Sequence, residues 1–303
     1  MKIFIVGGAG FVGSNFIKKF HNYYEIILCQ NSENEELSKF CIKNNIIVEK
    51  CKIQDSKIID LILNHKPEIV LHLATFGNLK KCETYQNEAF YVNVLGTRNI
   101  LTACKKLNSR IIYLSSREVY GNTNSNSSLE TDPLLPNNIL GFTKMLSESL
   151  ILEFNEKFKL DYTIFRPSNI YGIEKGKFVV ARMIKSALEK NKIEVFGGNQ
   201  EINLVHINDV LHCINFTIKN PQVVRNQIFN IGSSNNVTIL DLAKKIQNHI
   251  LNKQISIEIL DSRTGETTFF KPNIEKSKKF FNFEPQTDLD VGIKEITSEL
   301  DNT

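Results

Sequence analysis

Short apolar runs alternate with helix-length amphipathic stretches through the first half of the chain. The runs at 2–6, 25–29, 46–48, 69–73, 110–115 and 162–166 are largely apolar throughout, without strict alternation, as in strands buried on both faces. Between them, 11–20, 58–65, 89–107 and 138–158 place apolar residues three and four apart, the spacing of a helix with one buried face. This order predicts a parallel sheet with helices on both sides. After Gly172 the rhythm changes. A helix is expected over 178–190, a short strand over 193–196 and another over 227–231. A helix over 238–251 follows, with Thr238 as N-cap and Asp241 three residues on. The tail mixes short strands with a final helix. The polar segment 121–128 reads as an exposed loop inside a domain.

The expected fold class is α/β: a Rossmann-type doubly wound parallel sheet with a smaller mixed α/β C-terminal substrate domain. Residues 1–172, with about 203–233, would form the first domain; 173–202 and 234–303 would form the second.

Composition narrows the class. The chain has 303 residues, 42% hydrophobic and 23% charged, the make-up of a soluble globular protein. A net charge of +4, with no dense Lys/Arg stripe, argues against a nucleic-acid partner. No apolar run reaches the roughly 18 residues that span a bilayer. The first residues run straight into a glycine turn without a cleavage pattern, so no signal peptide is expected. The cysteines at 29, 41, 51, 82, 104 and 213 form no Cys-x-x-Cys pair. They read as buried thiols in a reducing cytoplasm, and no His/Cys spacing suggests a metal.

The sharpest local signal is the glycine turn. An apolar strand feeds Gly7-Gly8-Ala9-Gly10, and a helix opens at Phe11 and Val12. Gly7 permits a tight turn, Gly10 lets backbone approach a pyrophosphate, and Gly13 lets helix and strand pack closely. The helix N-terminus offers N–H groups and partial positive charge to the phosphates. A dinucleotide cofactor is expected there.

The spacing Gly-x-x-Gly-x-x-Gly resembles the short-chain dehydrogenase/reductase superfamily. Leu71-His72-Leu73-Ala74, Asn93-Val94-Leu95-Gly96-Thr97, Ser115-Ser116-Arg117-Glu118-Val119-Tyr120-Gly121 and Arg166-Pro167-Ser168-Asn169-Ile170-Tyr171-Gly172 resemble its extended branch, the nucleotide-sugar epimerases and dehydratases. Val205-His206-Ile207-Asn208-Asp209-Val210, Arg263-Thr264-Gly265-Glu266 and Phe281-Asn282-Phe283-Glu284-Pro285 continue the likeness in the same order.

The resemblance implies oxidation or isomerisation of a nucleotide-sugar ring through hydride transfer to NAD. It implies Ser116 and Lys144 as catalytic residues, with Glu118 as a further acid/base candidate from the dehydratase triplet position. Gly7, Gly10, Phe11, Val12, Gly13, Gln30, Leu73, Ala74, Lys144 and Pro167 would contact the cofactor, and Asn169 and Arg263 the sugar nucleotide. The departures are specific. Leu140 stands where the family has its proton-transferring tyrosine, four residues before Lys144. Gln30 replaces the aspartate that binds the adenosine ribose, Lys52 replaces a second aspartate, and Ile202 replaces one diphosphate arginine. With no Arg or Lys at 30–32 to take a 2′-phosphate, NAD is expected over NADP. His206 reads as packing, and Asp209 as a helix cap. A cytoplasmic homodimer through a four-helix bundle is implied. Two readings stay open beside catalysis: a relative that binds cofactor and sugar nucleotide without turnover, and a reductase of a non-nucleotide substrate.

Overall fold

The structure is a computed structural model that describes all residues except 33, 124–126, 175–177, 263–268, 283, 286 and 302–303. Twelve strands occur among the described residues. Seven of them, β1 (Lys2–Val6), β2 (Glu25–Gln30), β3 (Ile47–Lys50), β4 (Ile69–His72), β5 (Arg110–Leu114), β6 (Tyr162–Pro167) and β10 (Gln227–Ile231), make one sheet. Its order is β10-β6-β5-β4-β1-β2-β3. Every pairing from β3 to β6 is parallel. The order reverses between β1 and β4, the switch point where open α/β sheets bind ligands at the carboxyl ends of their strands. β1, β2, β4 and β5 carry no charge in their interiors, because helices bury both faces.

The chain divides into two compact units. The first holds 1–119, 134–166 and 214–229. Its core joins β-strand residues Phe4, Val6, Ile27, Val70, Ile111 and Ile164 to Ile58, Ile62, Ile100, Leu101 and Ile151 from helices Lys57–His65, Gly96–Leu107 and Ile139–Phe158. The second unit holds 120–133, 167–213 and 230–303. It contains a three-stranded sheet of β7 (Asn169–Tyr171), β9 (Glu201–His206) and β11 (Asn236–Thr238), and a pair of β8 (Lys192–Phe196) with β12 (Ser256–Leu260). Helices Val179–Lys190, Ile239–His249 and Leu289–Asp301 close its own apolar core. Thr238 caps the second of these, its hydroxyl accepting from Asp241 N at 3.0 Å.

Three expectations need correction. The stretch 89–107 is not one helix: Gln86–Phe90 passes through a π-turn at Tyr91–Leu95 before Gly96–Leu107. A one-residue insertion of this kind leaves apolar spacing nearly intact, so periodicity does not reveal it. Ser128 is buried rather than exposed, bridged to Pro272, and 120–133 belongs to the second unit. Asp209 lies in the first turn of helix Ile207–Lys219 rather than before it. An unanticipated helix, Glu35–Lys43, buries only Leu37 and Cys41 and is capped by Asn34. Its weak apolar stripe explains why sequence periodicity passed over it. All six cysteines are free and buried.

Candidate active site

The glycine turn lies where the sheet order reverses. Gly7 has φ +83, open to glycine, and a Cβ there would stand 2.5 Å from Ala74 Cα and N. The turn after β1 and the Leu73-Ala74 end of β4 are therefore in backbone contact. Gly13 is pinned in the same way: a Cβ would stand 2.5 Å from Gly8 Cα. Gly10 is exposed, precedes helix Phe11–Phe20, and no side chain caps that helix. At the end of β2, Gln30 is only 8% exposed, and its Oε1 has no hydrogen-bond partner among the described residues. Burying an amide acceptor unpaired is unfavourable by about 1–3 kcal/mol. A hydroxyl donor from a ligand relieves that.

The lysine helix is set by its first turn. Asn138 accepts from Gly141 N at 2.8 Å and donates to Glu118 Oε2 at 2.8 Å. Gly141 is needed at this approach, since a Cβ would lie 2.2 Å from Glu118 O. The helix is thus fastened to the turn Arg117–Val119 that follows β5. Ser116 is half-buried, and its hydroxyl accepts from Glu118 N at 3.2 Å. Glu118 is buried, paired with Arg117 at 2.9 Å as well as with Asn138. Leu140 packs with Cys82 and Ala89, flanked by Phe76, Leu79 and Ile139.

Lys144 is 3% exposed. Its Nζ donates to Leu114 O at 2.8 Å and lies 4.7 Å from the Tyr113 ring centroid. Among the described residues no carboxylate reaches ion-pair distance of it. Burial pulls its pKa down to about 7, partly opposed by Glu148 one turn on. An ammonium has three donors, and the protein uses one. Glu148 itself is held by the Arg166 fork, with Nη2–Oε2 at 2.6 Å, and accepts from Ser115 Oγ.

A second polar chain steadies the loop after β4. Asn93, in the π-turn, accepts from Phe76 N at 2.8 Å and donates to Thr143 Oγ1 at 2.9 Å. Its carbonyl accepts from Ser147 Oγ at 2.8 Å and Thr97 Oγ1 at 2.6 Å. Thr97 spends its proton there, so His72 Nε2, 2.9 Å from Thr97 Oγ1, is the donor of that contact. His72 Nδ1 is unprotonated and has no hydrogen-bond partner among the described residues, and burial lowers the ring's pKa to about 3.

The structure thus brings Gly7, Gly10, Phe11, Val12, Gly13, Gln30, Leu73, Ala74, Ser116, Glu118 and Lys144 into one unit. Pro167 and Asn169 belong to the other, where Asn169 Nδ2 donates to Asn203 O at 3.1 Å. Arg263 lies outside the described residues. His206 is buried edge-on to Tyr171, with ring centroids 5.1 Å apart. Asn138 and Thr143 were missed as site residues. An asparagine just before a long apolar run is a recognised helix-start signal that points to the first of them.

The residues present fit a nicotinamide dinucleotide: an uncapped helix behind an exposed glycine, an orphaned acceptor at the end of β2, and a buried ammonium with spare donors. Together with the serine turn after β5, they define an extended short-chain dehydrogenase/reductase. Residues 3–232 match the model of the NAD dependent epimerase/dehydratase family. The chain belongs to that family of enzymes, and its cofactor is NAD. It is 31% identical over 276 residues to a dTDP-D-glucose 4,6-dehydratase of Dictyostelium discoideum, covering 82% of this chain and 62% of that one. A putative UDP-glucose 4-epimerase of Methanocaldococcus jannaschii is 29% identical, covering 99% of this chain and 98% of its own. The UDP-glucuronic acid 4-epimerase structure from Bacillus cereus has the same fold, with TM-score 0.91 at 21% identity, covering 100% of this chain and 99% of that one.

Proposed function

We propose that this protein modifies the sugar ring of a nucleotide sugar by NAD-dependent oxidation or isomerisation, in a site that works without the usual tyrosine. The observation that carries the reading is the intact Ser116–Lys144 frame around Leu140. When bound, NAD supplies the nicotinamide that accepts a hydride from the carbinol carbon. Lys144 offers an unused N–H donor to the nicotinamide ribose, and Gln30 takes a hydroxyl of the adenosine ribose. Ser116 holds the reacting oxygen. Both oxygens of Glu118 are engaged by Arg117 and Asn138, so its role is to orient the head of the lysine helix. Asn169 and Arg263 take the sugar nucleotide, within the substrate domain formed by 173–202 and 234–303 together with the Arg-Pro-x-Asn segment. The relatives named as acting on dTDP- and UDP-sugars guide the substrate class.

The protein is proposed to act in the cytoplasm, in keeping with its six buried thiols, and as a homodimer. Tyr91 is 54% exposed and Phe142 39% exposed on neighbouring segments of the π-turn and the lysine helix. Apolar side chains in that position suit a helical interface. Light scattering at twice the chain mass supports the dimer; the monomer mass refutes it.

The test of function is calorimetric titration with UDP-glucose, UDP-glucuronic acid and dTDP-glucose in the presence of NAD, followed by NMR of each sugar after incubation. Conversion of one of them supports the reading. A second reading, binding without turnover, is favoured by Leu140, Gln30 and Ile202. It is supported if these sugars bind and none is converted.

A further inference from the structure

If the chain turns over nucleotide sugars as proposed above, some group must take the hydroxyl proton, and Leu140 has no ionisable atom. The groups around Lys144 can be followed element by element. On its own helix, Glu148 is locked in the Arg166 fork and accepts from Ser115. On β4, His72 is fully buried and neutral, its donor committed to Thr97. On β5, Tyr113 is buried under the Lys144 ammonium, and burial pushes its phenol up. On helix Leu79–Thr84, Cys82 is buried, donates to Phe76 O at 3.1 Å, and has its thiol pushed up to about 11 by burial. Ser116 accepts from Glu118 N, and an alcohol is too weak a base to hold a proton alone.

Lys144 remains. It follows Leu140 by one helical turn, so the two side chains share a face of the helix. Its ammonium is held by one carbonyl, and Glu148, one turn on, favours its charge without reaching ion-pair distance. We infer that Lys144 is itself the proton-exchanging catalytic residue, taking the proton from the sugar hydroxyl on oxidation and returning one on reduction. In the oxidising direction the O–H bond breaks and the proton joins the uncharged Lys144 amine. The oxygen electron pair closes the C=O bond, and the C–H pair leaves to the nicotinamide. On reduction each transfer reverses, so protons and electrons balance over the cycle. With its pKa near 7, Lys144 presents amine and ammonium together at neutral pH, which is the poise that two-way proton exchange needs.

The experiment follows Lys144 in the full-length protein by 13C NMR of labelled lysine side chains, assigned with Lys144→Met. In parallel, the pH profile of kcat/KM is measured on whichever of the three sugar nucleotides is converted. The inference expects a Lys144 midpoint near 7 and a kcat/KM limb rising through that same midpoint. It also expects Lys144→Met to lose about 100-fold or more in kcat, with the fold intact by circular dichroism. NADH affinity is titrated alongside. If Lys144 only held the ribose, Lys144→Met would weaken NADH binding while the pH limb stayed in place, and that result overturns the inference. Turnover with a Lys144 midpoint above about 9 also overturns it, leaving the functional reading intact. A midpoint near 7 with no conversion of any of the three sugars overturns both.

Discussion

Replacing Glu148 with glutamine isolates the charge at the base of the site. The side chain keeps its shape, so the core around it need not repack. What changes is the partner of Arg166, whose guanidinium is buried at 3% exposure and forked onto both carboxylate oxygens, at 3.1 Å from Nε and 2.6 Å from Nη2. Neutralising one partner of a buried ion pair is destabilising, by up to about 3–5 kcal/mol. That is a large part of the ~5–15 kcal/mol that holds a domain folded. The chain has no tryptophan, so unfolding in urea is best followed by far-UV circular dichroism. The same substitution removes the nearby carboxylate that favours the charged form of Lys144. The Lys144 midpoint should therefore fall below its value near 7. A stability loss under about 1 kcal/mol, or a Lys144 midpoint that does not move down, refutes this view of Glu148 as the compensating charge for both cations.

His72 gives a pH prediction. Its pKa is lowered from 6.5 in the unfolded chain to about 3 in the fold, so between these values the unfolded state binds more protons. Stability from this group is present above pH 6.5 and is lost as pH falls toward 3. His72→Gln should flatten that part of the stability curve in acid titrations, and an unchanged curve would contradict the assignment. Gln30→Asp replaces a neutral acceptor with a charged one, which forms stronger hydrogen bonds by about 1 kcal/mol. NADH affinity should rise about fivefold, while NADPH binding weakens through repulsion of its 2′-phosphate; equal gains for both cofactors would refute the placement of Gln30 at the ribose. Asn138→Ala removes the cap of the lysine helix and the hold on Glu118. A loss of about 0.5–2 kcal/mol is expected in urea unfolding, together with a drop in kcat.

Much of the cofactor half was legible from sequence, because its residues work through backbone geometry encoded locally. The glycines after β1, the apolar strands and the 3.6-residue spacing each declare themselves within a few positions, and their alternation gives the parallel sheet with helices on both faces. The rest depends on contacts distant in sequence. The apolar repeat across 89–107 concealed the π-turn that turns Asn93 toward Phe76 and Thr143. Adjacent Arg117 and Glu118 give no sign in sequence of their burial; both are buried and paired at the end of β5. Nothing near Lys144 in sequence shows that it would meet Leu114 O and the Tyr113 ring, since β5 lies thirty positions away.

Leu140 concentrates the question of function. It is well packed on Cys82 and Ala89, so a tyrosine placed there must displace that contact at about 1–3 kcal/mol. The direct test compares wild type with Leu140→Tyr in one assay: NAD plus UDP-glucose, UDP-glucuronic acid or dTDP-glucose, with NADH absorbance followed and the sugar recovered for NMR. The account predicts that wild type converts one of these sugars with leucine in place. Binding of cofactor and sugar without conversion by wild type, with conversion appearing only in Leu140→Tyr, would contradict it.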